Sequence, residues 1–415
     1  MLLKEIKKNT SIPLLILYIL LSRIFVYRGI DWYGGLGGGL GQIYYFLLGC
    51  VMIYCSRTAK YTCSKTSIYY SVLGLTILFF CSILVGFVVE DQSFYYSFKG
   101  LCSFSYTPIL FYFLLHNKQY DNKIIIGTLL SLFIVYLFIY GYSYMIFPSY
   151  RFGMVSDIDE GLLKDFETRG VYRTGIPYED LIAIFFFYVV SNDKIKGNKR
   201  FLLFFILLFL TIIRGTRFII AGTLFVGVLL YMKQAKGNIL KYILCLAIII
   251  LSLMMCIEIF GIPPFIENYI ELTDKDQDSG NDNIRIVMSM YYLFDFNTSL
   301  PEILFGHGIP VNSGFSMMKE NMKQYGFFAD DVGYVEFYLN FGVVGILFLF
   351  GLLYRVIKTK VPRDFLFAKY YIYYIFITML CGSYFLNNVV LIVTMLYLIE
   401  HNKIIKNNKI WKELL

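Results

Sequence analysis

Seven arginines, Arg28, Arg151, Arg169, Arg173, Arg214, Arg217 and Arg285, stand in segments that join apolar stretches, all on the same side of the alternation described below. A guanidinium is a planar, permanently charged fork that meets phosphate or carboxylate oxygens two at a time, whereas an ammonium is a hydrated point charge. Arg169 and Arg173 share one connecting segment, Arg214-Gly-Thr-Arg217 forms a tight turn, and Arg285 stands in a third segment. Brought together, these five would hold a diphosphate without a metal. For any one of them alone, snorkelling toward lipid headgroups accounts for the position equally well. A second group could move protons: His307 in Phe305-Gly-His-Gly308, and the pair Asp330-Asp331 at the mouth of a long apolar run. Asp331 is the general base favoured by position and His307 the one favoured by chemistry. Asp331 also stands where a helix N-cap belongs.

The elements that must carry these residues are apolar helices. Of the 415 residues 58% are hydrophobic and 16% charged, well above the apolar share of a soluble domain. A membrane-crossing helix needs about 20 apolar residues. Such stretches occur near 12–27, 40–55, 68–89, 100–115, 124–147, 178–191, 201–213, 218–232, 240–260, 332–354, 366–382 and 387–400. The expected fold is therefore all-α: residues 1–415 form a single polytopic membrane domain with about twelve spans. Lys4, Lys7 and Lys8 precede the first run without a small-residue cleavage site, so that run reads as a retained helix.

Lysine and arginine counts orient the chain. With the first residues in the cytoplasm, 24 of the 37 cations fall inside, 12 outside, and Arg23 within a span, as the positive-inside rule requires. Both termini are then cytoplasmic and the arginine-bearing segments extracytoplasmic. Of the inner cations 20 are Lys, while 7 of the 12 outer ones are Arg. The net charge of +8 is thus explained by topology. A nucleic-acid partner would want a basic soluble face, and none is expected.

Two outer segments are long, 148–177 and 261–331, the latter between the ninth and tenth spans. Long ordered loops tend to carry function. Within the larger one, 285–296 and 316–327 have apolar residues at helical spacing and read as short interfacial helices capping a cavity. Between them, 298–310 reads as a turn-forming stretch around Pro301, Gly306, Gly308 and Pro310. The glycine-rich run Gly34 to Gly41 lacks the Lys-Ser/Thr ending of a phosphate loop. Asp274, Asp276 and Asp278 open like a calcium loop, but Gly280 comes one place late and Arg285 replaces the bidentate Glu. Three histidines and scattered cysteines make no metal-ligand pattern. No cofactor or metal is expected.

Taken in order, Arg173-Thr-Gly-Ile-Pro177, Arg214-Gly-Thr-Arg217, Arg285 before an aromatic-rich helix, Leu304-Phe-Gly-His-Gly308 and the Asp331 to Gly345 segment resemble the O-antigen polymerase and ligase superfamily. These are integral-membrane glycosyltransferases of the GT-C type. The likeness covers about residues 165–350. It implies transfer of a glycan from an undecaprenyl-diphosphate carrier in a bacterial cytoplasmic membrane to a sugar hydroxyl, in the assembly of lipopolysaccharide O-antigen, capsule or exopolysaccharide. No nucleotide sugar enters. Arg169, Arg173, Arg214, Arg217 and Arg285 would bind diphosphate, and Asp331, Asp330 and His307 would be catalytic. The implied partners are the lipid-linked oligosaccharide, membrane lipid, and assembly proteins such as a flippase or chain-length regulator. Two departures stand out: Pro177-Tyr178-Glu179 where the family often has Pro-Asn, and Asp330-Asp331 where its ligases often place His-Asn. The expected activity is that of a polymerase joining the lipid-linked repeat units, with a ligase as the runner-up; a transporter or flippase also suits twelve spans with both ends inside, but the two halves show no obvious repeat.

The orientation can be checked directly. In a cysteine-free background, cysteines at Ser279 or Lys319 should react with an impermeant thiol reagent in intact cells, and one at Asn198 should not. Labelling at Asn198 with protection at Ser279 would reverse the orientation.

Overall fold

The computed structural model of the chain describes residues 11–22, 67–97, 114, 122–146, 176, 178–193, 195, 197–213, 217–234, 283–309 and 324–414, the last with side chains to 401. Among these residues there is no strand. The helices are α1 (Ile12–Ser22), α2 (Ser67–Val89), α3 (Asn122–Ile146), α4 (Leu181–Ser191), α5 (Gly197–Ile213), α6 (Arg217–Gln234), α7 (Ile284–Met290), α8 (Leu300–Phe305), α9 (Gly333–Lys358), α10 (Leu366–Thr378), α11 (Tyr384–Asn387) and α12 (Val389–Leu414). A π-helical turn, Tyr291–Asp295, extends α7. The apolar runs at 40–55, 100–115 and 240–260 lie outside the described residues, 114 apart; the others coincide with helices.

Residues 68–89, 122–146, 333–358 and 363–381 form helices long and apolar enough to cross a membrane. α4, most of α6 and the first half of α12 are shorter apolar helices. Helix is the natural state of such sequence, because in a medium without water every backbone N–H and C=O must be satisfied within its own segment. α10 is the most enclosed, touching α4, α6, α9 and α12, with Leu366 to Phe376 almost wholly buried. Rings knit these contacts: Phe187 meets Tyr374 edge-on at 5.8 Å, and Phe133 stacks on Phe185 at 4.6 Å. Phe80, Leu84 and Phe87 on α2 and Leu347, Phe350 and Tyr354 on α9 point outward, an apolar exterior suited to lipid.

Contacts between helices sort their ends into two sets. Arg355 donates to Ser71 Oγ at 2.9 Å, Arg363 pairs with Asp193 at 3.6 Å, and Ser11 N–H reaches Thr128 Oγ1 at 3.2 Å. Lys369 donates to the carbonyls of Ile357 and Thr359 at 2.7 and 2.9 Å, placing a cation on the C-terminal end of α9. Far along the same helices, Tyr334 OH donates to Phe376 O at 2.7 Å and Tyr178 OH to Tyr18 O at 3.2 Å. The first end carries Lys123, Lys199, Arg200, Lys233, Arg355, Lys358, Lys360, Arg363 and Lys369. The second carries Glu90, Asp91, Glu179, Asp180, Asp295, Glu302, Asp330, Asp331 and Glu336. Among the described side chains the first end is mainly basic, with Asp193 and Asp364 among its cations, and the second mainly acidic, with Arg285 among its carboxylates.

α9 is not continuous. Gly342 has φ 63° and ψ −166°, dividing it into two helical halves, where the sequence reads as one uninterrupted span. The break is filled by the segment after α8: His307 N–H donates to Leu339 O at 2.7 Å and Gly308 N–H to Asn340 O at 3.1 Å. Carbonyls that would have bonded the next helical turn thus bond a loop 30-odd residues earlier in sequence. Gly308, itself at φ 82°, lies so close to α2 that a Cβ would be 2.6 Å from Ser82 O, and one at Gly342 would be 2.5 Å from the Phe305 amide nitrogen. Left-handed backbone and close approach coincide at both positions.

Gly342→Ala should therefore lower the thermal midpoint of the purified protein, costing about 2 kcal/mol or more through backbone strain alone. Gly351→Ala, with open space around its Cβ, should leave the midpoint unchanged or slightly raised. Equal midpoints for both variants would show that the break bears no strain.

Candidate functional site

His307 is the centre of the acidic end. It is 4% exposed. Its Nδ1 lies 2.5 Å from Glu90 Oε1 and its Nε2 lies 2.6 Å from Asn297 Oδ1. Phe296 packs against the ring at 4.9 Å. Both facing atoms are oxygens, so a ring nitrogen that carries a proton can donate to the one opposite it. Turning the Asn297 amide over would instead let Nε2 accept from it. In the orientation observed, Asn297 Nδ2 is buried without a hydrogen bond.

Each partner arrives on its own element. Glu90 follows the last residue of α2, and the chain turns there through Asp91 at φ 49°. Gln92 ties that turn to the His307 segment, its Nε2 donating to Ile309 O at 3.2 Å and to Ser97 Oγ at 2.8 Å. Asn297 and His307 flank α8. This helix has a complete capping box: Ser299 Oγ accepts from Glu302 N–H at 3.4 Å, and Glu302 Oε2 accepts from Ser299 N–H at 3.1 Å and Thr298 N–H at 2.8 Å. Pro301 sits in its first turn, where no N–H is needed. Partial burial would raise the Glu302 carboxyl, but the hydrogen bonds from Ser299 and from the Thr298 and Ser299 amides prevail and hold it below its ordinary 4.5. The expected turn at 298–310 is thus a capped helix followed by the loop that enters α9. Before it, the expected helix at 285–296 is present as α7 and its π turn, a helical irregularity that tends to mark functional sites.

Asp330 and Asp331 occupy a 3₁₀ turn, Ala329–Asp331, immediately before α9. The N-cap position of α9 is Val332 and no side chain caps it, so neither aspartate is engaged as a cap. Asp330 keeps an open surface, yet its apolar surroundings and, second, the charge of Asp331 raise its carboxyl above 3.8. Asp331 is half-buried.

The arginines are less fully placed. Arg285 opens the first turn of α7, exposed, its backbone N–H donating to Asn283 Oδ1 at 3.0 Å. Arg217 begins α6, and its side chain lies outside the description; Arg169, Arg173 and Arg214 lie outside the described residues. His307, Asp330, Asp331 and Arg285 are therefore brought to one end of the molecule. Glu90, Asn297 and the Gly342 break were not singled out from the sequence. The one available signal was Glu90-Asp91 directly after an apolar run, which marks a span end without naming its partner.

Arranged this way, His307 is held and its two nitrogens are occupied, while Asp330 is exposed and Asp331 half-buried before α9. His307→Ala should cost about 2 kcal/mol or more, because Glu90 and Asn297 both lose a buried partner. Glu302→Gln should show a pH signature. The carboxyl is depressed in the fold, so its contribution is present above about pH 4.5 and lost as pH falls through the folded value. The midpoint difference from wild type should be present at pH 7 and vanish in acid; a pH-independent difference would remove the capping role of the charge.

The chain matches no protein-family model and no curated protein, so these residues themselves must carry the functional reading.

Proposed function

We propose that the protein is an integral-membrane glycosyltransferase that joins undecaprenyl-diphosphate-linked oligosaccharide repeats into a bacterial envelope polysaccharide. The reading includes about twelve spans, both termini in the cytoplasm, and the large loop 261–331 outside. The observation that supports it best is the assembly of His307, Asp331 and Arg285 from that loop at the acidic end of an apolar bundle, against a helix broken at Gly342. Irregular backbone at the end of a span is tolerated where it is enclosed by protein, and broken helices recur at membrane-embedded binding sites.

In the proposed reaction an acceptor sugar hydroxyl attacks the anomeric carbon of the donor glycan. The new C–O bond forms as the bond from that carbon to the phosphate oxygen breaks, with inversion. The hydroxyl proton passes to the Asp331 carboxylate and the electron pair leaves with the lipid diphosphate. Arg285, with Arg169, Arg173, Arg214 and Arg217, would stabilise the charge that grows on the departing diphosphate, a preorganised electrostatic role requiring no metal. His307, engaged by Glu90 and Asn297, would position the loop between donor and acceptor.

Purified protein given only the lipid-linked repeat, with chelator present and no nucleotide sugar, should yield a ladder of lengthened lipid-linked glycans and free undecaprenyl diphosphate. Asp331→Asn should slow the ladder by about 10²–10⁴, and Arg285→Lys by about 10², at normal protein levels. A ligase would act only after a separate acceptor was added. Movement of intact lipid-linked units across a vesicle bilayer without elongation would replace the transferase reading by transport.

A further inference from the structure

Two helices give the depth of the segment that follows the π turn. α2 carries no charged residue from Ser67 to Val89. From Ser71, which the Arg355 guanidinium meets at 2.9 Å, it rises about 27 Å to Val89, close to the hydrocarbon thickness of about 30 Å. The outer boundary of the hydrocarbon then falls at Glu90 and Asp91, the first charged residues beyond. On α9 the same thickness measured from Arg355 ends near Val335. Gly308 lies against Ser82 and Gly86, about 5–10 Å short of Val89. Leu304 and Phe305 lie against Gly342, about 10 Å inside Val335. Between these levels the His307 and Gly308 amides bond Leu339 O and Asn340 O.

We infer that residues 300–309 form a re-entrant element, entering and leaving at the end that carries Glu90 and Asp331, and that the outer face of α8 rests in the hydrocarbon of that leaflet. Surface and backbone both support this. Leu300, Ile303 and Phe305, the large side chains that α8 turns outward, are 68%, 36% and 46% exposed and all apolar. They adjoin the outward band of Phe80, Leu84 and Phe87 on α2 and Val343, Leu347 and Phe350 on α9, the two spans that α8 touches. Lipid is the occupant because that band lies at depths where lipid is the solvent. The backbone makes no demand on water. The amides of Glu302, Ile303, Gly306, His307 and Gly308 find acceptors within the chain, Pro301 has no N–H, and Ile309 O accepts from Gln92 Nε2 at 3.2 Å. Such closure is what irregular backbone at membrane depth requires. Glu302, the charged residue of α8, turns its carboxylate back to the Thr298 and Ser299 amides.

This inference rests on the membrane part of the proposed function and not on glycan transfer. Full-length, cysteine-free protein in nanodiscs is given one nitroxide label at a time through Ile303→Cys, Phe305→Cys, Leu347→Cys or Lys360→Cys. Collisions with oxygen, which concentrates in hydrocarbon, and with a water-soluble nickel chelate are then compared. The oxygen-to-nickel ratio at Ile303 and Phe305 should exceed that at Lys360, exposed between α9 and α10, by at least about tenfold and approach that at Leu347. A ratio equal to that at Lys360 would put α8 in water. Low collision rates with both reagents would show a protein surface covering it. Either result overturns the proposal. A low ratio at Leu347 as well would remove the membrane reading itself. A second measurement needs no substitution: a diazirine dissolved in the bilayer should tag residues 300–305 of the unaltered protein on illumination, as read by mass spectrometry. Tagging of 343–350 without 300–305 would overturn the re-entrant placement and leave the spans standing.

Discussion

A helix interrupted in an apolar surrounding releases carbonyl groups that water cannot reach, and each one left unmet would cost several kcal/mol. In this protein Gly342 makes such an interruption, and the amides of His307 and Gly308 meet Leu339 O and Asn340 O. Much of the acidic end follows from that exchange. The loop must approach α9 closely, which demands glycines at 306 and 308 on one side and at 342 on the other. Once seated, it has one orientation for the imidazole, toward Glu90 at the end of α2 and Asn297 before α8. The His307 segment is thus fixed by backbone pairing, and the hydrogen bonds of the imidazole add to it.

Charge separates along the same axis. Cations gather where α9 ends and α10 begins, and Lys369 there closes the last carbonyls of α9 as the loop closes the break nearer its start. Carboxylates gather at the other end. An enclosed carboxylate needs partners, and Glu90, drawn against His307, has one, while Asp330 keeps an exposed surface. In the proposed reaction, proton transfer and structural support would fall to different acids within one small region.

Apolar runs were enough to locate the helices, because a stretch such as 68–89 has no other way to satisfy its backbone in an apolar medium. Motif spacing singled out His307 and Asp331, which the fold brings to one end of the bundle. What escaped was long-range. Nothing local links Glu90 to a histidine 217 positions away, and Gly342 within an apolar run reads as a tolerated residue rather than a break. The α8 helix is a different case. Ser299-Leu-Pro-Glu302 carries a capping-box signature, but Pro301, Gly306, Gly308 and Pro310 invited a turn.

The capped helix α8 can also be viewed as a ruler. Its six residues hold Asn297 and His307 at the two ends of a rigid spacer, so that both reach the same imidazole contact from opposite sides. Adding one residue to it would turn everything beyond by about 100°, swinging His307 away from Asn297 and Glu90 and pulling its amide off Leu339 at a stroke. Length, rather than composition, is what this stretch must preserve. Substitutions on the exposed face of α8 should be absorbed, while insertions and deletions between 297 and 309 should not.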